Sequence, residues 1–415
     1  MNKHRMNKEL SRFAARLRGC ISSEGRVPRG PDLKIRNGDS YNSSLRDFDS
    51  LALELFALQF TNNAAYRRIC EARGLTPSVV EHWTQIPAVP TGAFKELELS
   101  CIPPEERTAI FHSSGTTEQK PSRHFHTAES LAVYEASLWT WFDRNVLRSA
   151  DGSSASSDET RGRAARAPVA AIFLTPPPAQ APHSSLVHMF ETMRRKLGAA
   201  ESAFIGQIDT DGAWILDFNA ALAMLDTSPA THAPSILLGT AFSFVHLLDF
   251  LVERDLRVEL PAGSRVMETG GYKNHSRSMP KAELHALITE RLGVPAENII
   301  CEYGMSELSS QAYSLGAPAS RRRFYPSATK ELTGETPALP GFQFPPWARA
   351  QIISPETGRE VADGETGLIR VFDLANVFSV AAIQTEDLGV RRGDGFELIG
   401  RAPLAEPRGC SLMIA

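Results

Sequence analysis

Cysteine is scarce in this 415-residue chain, and its five copies, Cys20, Cys70, Cys101, Cys301 and Cys410, lie far apart without a C-x-x-C pair. An odd, scattered set argues against a disulfide framework or a zinc site and for a reducing compartment. Any cysteine with a special role must have it as a thiol. Long apolar runs are missing too. None reaches the roughly 18 to 20 residues that a membrane span needs. The N-terminus, "MNKHRMNKELSRFAARLRG", is basic but has no apolar centre, so it reads as a surface helix and not as a secretory signal. Charge of one sign is also lacking: the net value is -4, which gives no electrostatic case for nucleic acid or an anionic membrane as main partner. The expectation is a cytoplasmic protein with no membrane span.

What is present is an ordinary globular composition, 42% hydrophobic and 22% charged, on a chain long enough for a sizeable core. From about Leu51 to Arg73, apolar residues recur at helical spacing and close on Gly74, within a helical N-terminal region over 1–84. "WTQIPAVPTGAFKELEL" reads as a connector. Over 85–344, apolar runs such as "VAAIFLT", "SILLGTAFSF", "RVMETGG" and "NIICEYG" alternate with helical patterns, the signature of an α/β sheet whose ligand loops follow the strands' carboxyl ends. Thr127 is placed to cap the helix that follows it. Within this core, 149–166 is polar and of low complexity, a flexible insertion. Over 345–400, short strands with Gly-rich turns make a β-rich lobe. A tail, 401–415, carries Cys410.

One stretch, "FHSSGTTEQKPSRHFH", concentrates polar chemistry. Ser113, Ser114, Gly115, Thr116 and Thr117 offer four hydroxyls, a small residue and successive backbone N–H groups that can wrap phosphate oxygens, with the cations Lys120 and Arg123 close behind. The second glycine of a Walker A loop is absent. Such a loop can equally be a turn with a capping residue. His112, His124 and His126 suggest a metal, but no acidic or thiol partner has ligand spacing, and the metal reading is set aside. Other fragments supply what a nucleotide needs. Tyr303, Gly304, Ser306 and Glu307 follow one apolar run, Asp387 follows another, and Arg401 closes "GFELIGR". A hydroxyl near the α-phosphate, a carboxylate for Mg²⁺, an aspartate for ribose hydroxyls and an arginine for ribose or phosphate form one coherent set.

Taken in order, "FHSSGTT", "PSRH", "LLGTAF", "RVMETGGYK", "EYGMSELSSQAY", "DLAN", "IQTEDLG", "GFELIGRA" and "RGCSLM" resemble the adenylate-forming superfamily. Within it, the chain looks like the LuxE-type acyl-protein synthetases, relatives of phenylacetate-CoA ligases. The match runs from about residue 85 to the end. It implies the large N-terminal α/β domain of that superfamily with a β-rich lobe, the small C-terminal domain being truncated or absent. It also implies that the hydroxyl loop holds ATP phosphates, that Ser306 and Glu307 serve the α-phosphate and Mg²⁺, and that Asp387 takes the ribose. Gly239, Phe242, Gly270, Gly271 and Lys273 are the expected walls of the acid pocket. Cys410 matches the cysteine that receives the acyl group, while Cys301 reads as core. Three departures stand out: Glu118 follows the loop where a glycine is usual, the segment after it is scrambled to "EQKPSRH", and the lobe with the adenylation lysine is missing, Lys273 being the replacement on offer.

The implied activity is ATP-dependent conversion of a fatty or aryl acid to acyl-AMP, transfer to Cys410, and delivery to a thiol of a reductase, an acyl carrier protein or CoA. Two alternatives keep the fold. One is an ATP-independent acyltransferase loading Cys410 from a CoA or carrier-protein thioester, and the other a non-catalytic acyl- or nucleotide-binding subunit of a synthase complex.

Overall fold

The computed structural model describes residues 3–22, 40–113, 120–147, 169–226, 233–270, 279–314 and 341–402. Alternation along buried strands sets its architecture. In the strand Ser235–Thr240, Ile236 and Leu238 face one helix layer while Leu237 faces the other. Side chains on a strand point alternately to opposite faces, so a run that is apolar at every position must be covered on both. The helices Ala128–Phe142 and Ser185–Leu197 cover one side, with Leu138, Phe142, Val187 and Phe190 in that core. The helices Phe218–Asp226, Ala241–Glu253 and Lys281–Leu292 cover the other.

Five strands run parallel, in the spatial order Ala203–Phe204, Ala170–Phe173, Ser235–Thr240, Arg265–Thr269 and Ile299–Tyr303. The chain steps one way from Ala170–Phe173 and later returns to the other side of it, so a crevice is expected at the strands' carboxyl ends. Beyond Ile299–Tyr303 the same sheet continues antiparallel through Ala312–Ser314, Phe342–Gln343, Gly395–Arg401, Ala382–Arg392, Thr366–Asp373 and Ala348–Ile353. The α/β core and the β-rich lobe therefore share one sheet.

The N-terminal helices close the far side of that lobe. Phe13, Phe48, Leu55 and Phe56 lie in one apolar cluster with Ile369, Val371, Phe372 and Ile383. Gln59, fully buried, joins the two chain segments: its amide donates to the carbonyls of Asn376 and Val377 and accepts from the Ala381 N–H. The expected helix from Leu51 to Arg73 is two helices, Ser40–Asn62 and Ala64–Ala72. Asn63 is extended between them, and its side chain accepts from Tyr66 N at 3.0 Å, starting a new helix instead of continuing the old one. The expected connector also holds structure. Val89–Pro90 pairs in parallel with Ile383–Gln384, flanked by the short helices Trp83–Gln85 and Ala93–Glu96. The Thr127 cap is as expected, with Thr127 and Ser130 exchanging side-chain to backbone hydrogen bonds. No helix among the described residues is long and apolar enough to cross a membrane. The stretch read as an insertion, 149–166, and residues 403–415 of the tail, with Cys410, lie outside the described residues.

Candidate active site

A cavity of about 760 Å³ opens where the parallel strands end. Thr240, Thr269 and Tyr303, the last residues of three adjacent strands, reach its wall. Ser113, Gly270, Gly304, Ser306, Glu307, Asp387 and Arg401 line it as well. Residues as far apart in the chain as Ser113 and Arg401 thus meet in one chamber.

Ala109–His112 and Arg123–His126 pair antiparallel as the two arms of a hairpin. Ser113 N donates to the Ser122 carbonyl at 3.3 Å, and Ser122 N donates to Ser113 Oγ at 2.9 Å, closing the hairpin's base. Ser122 Oγ then donates to Glu307 Oε1 at 2.7 Å. The ring of His124 lies 2.6 Å through Nδ1 from the Ser306 carbonyl. Burial pushes the His124 pKa down, against the opposing pull of Ser306 and Glu307. The ring is therefore neutral near pH 7, and the carbonyl places its proton on Nδ1. These contacts bolt the hairpin to the "GMSE" segment. Ser114, Gly115, Thr116, Thr117 and Glu118 lie outside the described residues.

Glu307 is 1% exposed. Besides Ser122, it accepts from Ser306 Oγ at 3.2 Å, and its backbone carbonyl accepts from Asn376 Nδ2 at 2.8 Å. Asn376 belongs to "DLAN", whose aspartate anchors the following turn. Asp373 accepts from the N–H groups of Ser309, Ser310 and Ala375 and from Ser310 Oγ, all at 2.7 to 2.9 Å. Burial pushes its carboxyl up to about 6 in spite of those four donors. Asp387 and Arg401 are register partners on adjacent strands. Asp387 accepts from the Tyr303 hydroxyl at 2.9 Å and from Arg401 Nε at 3.3 Å, while Arg401 Nη2 reaches Glu386 at 3.3 Å. A carboxylate with two such donors retains lone pairs for a ligand hydroxyl.

Several expected residues are elsewhere. Lys120 pairs with Glu96 at 3.1 Å, and Arg123 lies 3.8 Å from Glu98 and over the Phe125 ring; neither lines the cavity. Phe242 is on a helix and not a strand, buried in the core against His246. Gly239 is a packing position: a Cβ there would meet Leu174 Cβ at 2.8 Å. Gly270, at φ +74°, does line the cavity. Gly271 and Lys273, like Cys410, lie outside the described residues.

The structure adds groups that the sequence reading left without a role. Glu268 is fully buried beside Lys281 Nζ at 3.0 Å and His285 Nε2 at 3.6 Å, with Cys301 Sγ 3.8 Å from that same ring nitrogen. Burial is the largest single effect and would raise its pKa, but Lys281, His285 and Cys301 together outweigh it and hold the carboxyl down to about 2. Glu268, His285 and Cys301 have the donor atoms of a metal centre within 4.8 Å of one another. The Lys281 ammonium already supplies the neutralising cation. Burial pushes the Cys301 thiol up to about 12, which removes it as a nucleophile and fits the core reading. On the neighbouring strand position, Glu302 accepts a short hydrogen bond from Thr269 Oγ1 and lines the cavity. Burial and the Glu268 charge push its carboxyl up to about 7, against the Thr269 bond.

This architecture is that of the adenylate-forming ligases. An open conformation of 2-hydroxyisobutyryl-CoA ligase, in complex with 2-HIB-AMP and CoA, matches with a TM-score of 0.59 over 92% of this chain and 83% of that one, at 13% identity. The same ligase in the postadenylation state matches at 0.58 over 90% and 74%. No protein-family model matches the chain. Among sequences, it is similar to the long-chain-fatty-acid–luciferin-component ligase of Vibrio harveyi, 22% identical over 87% of this chain and 85% of that protein. The ligase of the same name from Aliivibrio fischeri is 23% identical over 88% and 87%. The resemblance to LuxE-type acyl-protein synthetases, read from the motifs, is borne out.

Proposed function

We propose that this protein is an acid–thiol ligase: it activates a carboxylic acid with ATP as acyl-AMP and passes the acyl group to a thiol, in the cytoplasm. The observation that carries the reading is the meeting of the loop, "EYGMSE", "TED" and "GR" segments in one cavity, through Ser113, Tyr303, Ser306, Glu307, Asp387 and Arg401. In the first step the acid's carboxylate forms a bond to the α-phosphorus, and pyrophosphate leaves with the electrons of the broken P–O bond. In the second a thiolate adds to the acyl carbon and AMP departs. Ser306 and the hydroxyl loop donate to the phosphates, and Asp387 accepts from the ribose hydroxyls. Glu307 fits Mg²⁺, because a buried carboxylate oriented by neutral hydroxyls keeps the hard oxygen donors that this ion takes. The ion would offset phosphate charge.

Cys410 is the proposed first acceptor, a thiol on a tail that follows the last strand, with a carrier protein, CoA or a reductase thiol next. Intact-protein mass after incubation with carboxylic acids, with and without Mg-ATP, and with acyl thioesters, tests this. The expected adduct requires ATP and is absent from Cys410→Ala, which keeps ATP–pyrophosphate exchange. An adduct formed from the thioester alone, indifferent to ATP, refutes the ligase reading in favour of a transferase.

A further inference from the structure

Part of the cavity's polar lining has no role in the nucleotide assignments made above. Glu302 is 6% exposed, and among the described residues its carboxyl has one hydrogen-bond partner, Thr269 on Oε2. Its Oε1 lies beside Gly304, where a Cβ would come within 2.4 Å of it. That glycine keeps the carboxyl's approach open. The antiparallel return from Tyr303 to Ala312 brings Gln311 to the same spot, its Cγ 3.5 Å from that missing Cβ. Gln311 is 4% exposed, and its Oε1 has no partner among the described residues. Trp214, also 4% exposed and lining the cavity, has an indole N–H unpartnered among the described residues. The wall otherwise includes the apolar Leu186, Met189 and Ala241.

Buried polar atoms cost free energy until something completes them. A plain alkyl chain would seal these groups away from water without a bond. We propose that the acid accepted by this cavity carries a hydrogen-bond donor on its chain, a hydroxyl or an amino group, received by Glu302 and Gln311. The inference rests on the acid-ligase reading of the same site. The Glu302 carboxyl, raised by burial and by Glu268 to about 7, can accept from either group near neutral pH. A site built to bond such a group discriminates strongly against the analogue that lacks it.

The test uses the full chain and matched acids: octanoic acid, the positional isomers of hydroxyoctanoic acid and those of aminooctanoic acid. Calorimetric binding and ATP–pyrophosphate exchange are measured on the same panel. At least one donor-bearing isomer should bind about 10- to 100-fold more tightly than octanoic acid. Glu302→Leu should erase that preference by raising Kd for the donor-bearing acid alone, and Glu302→Gln, which keeps a polar head, should retain most of it. The hydroxyl and amino arms say which donor is meant. Octanoic acid binding as tightly as every other acid of the panel, or no acid binding at all, overturns the proposal, as does a preference that survives in a folded Glu302→Leu protein. Selective binding without exchange would overturn the ligase reading and leave the pocket assignment standing. Exchange without selectivity would do the reverse.

Discussion

Replacing Glu302 by Gln should change the pH dependence of stability more than stability itself. Its carboxyl is fully buried and moves from an ordinary 4.5 to about 7, with burial the main cause and Glu268 adding to it. The folded protein therefore holds this proton more tightly than the unfolded chain does. The associated stability is fully present below about pH 4.5 and is lost as the pH rises through about 7, above which the loss is complete. A gap from 4.5 to about 7 corresponds to ~3 kcal/mol. Glutamine has nearly the same shape, keeps an acceptor for Thr269 and carries no titrating proton. The stability of Glu302→Gln relative to the parent should thus rise by ~3 kcal/mol between about pH 4 and pH 8 and then level off. Asp373, pushed up to about 6, and the buried His124 and His126, whose pKa values are pushed down, titrate in both proteins and cancel in the difference. Urea unfolding of the two proteins side by side, with equal slopes, gives that difference directly. A difference that stays flat across the range would show that Glu302 is not held protonated by its surroundings.

Two further substitutions separate binding from packing. Asp387→Ala removes the acceptor for Tyr303 and Arg401 and, on the nucleotide reading, for the ribose. Its ATP Kd should rise about 10-fold or more, and an unchanged Kd in calorimetry would reject the assignment. Gly239→Ala places a Cβ against Leu174 Cβ at 2.8 Å. It should cost ~1–3 kcal/mol in denaturant unfolding with no change in the order of acid affinities. A changed order without lost stability would return Gly239 to the pocket.

The sequence reading succeeded where structure is local. The strand "NIICEYG" and the cap at Thr127 each depend on neighbours a few residues away. It failed at local signals that were there to be read. "SILLGTAFSF" looks like a single strand because apolar residues run through it, yet Thr240 accepts from Ser243 N at 3.0 Å and starts the helix that holds Phe242. The Asn63 break is similar: the periodicity crosses it, and one side-chain bond decides otherwise.

Charge partners were of another kind. Lys120 and Arg123 follow the hydroxyl loop in the chain, but Glu96 and Glu98 take them, and no local pattern says so. Gln59 finds its three partners more than 300 residues away. The types of group this protein brings to chemistry, and the elements that carry them, followed from the amino-acid order, because helix caps, strand alternation and turns are short-range. Which of those groups face one cavity was decided by tertiary structure. Ser122 bonds to Glu307 across 185 residues and Tyr303 to Asp387 across 84. Buried polar atoms must be satisfied by whatever the packed sheet places within about 3 Å of them, whatever its distance along the chain.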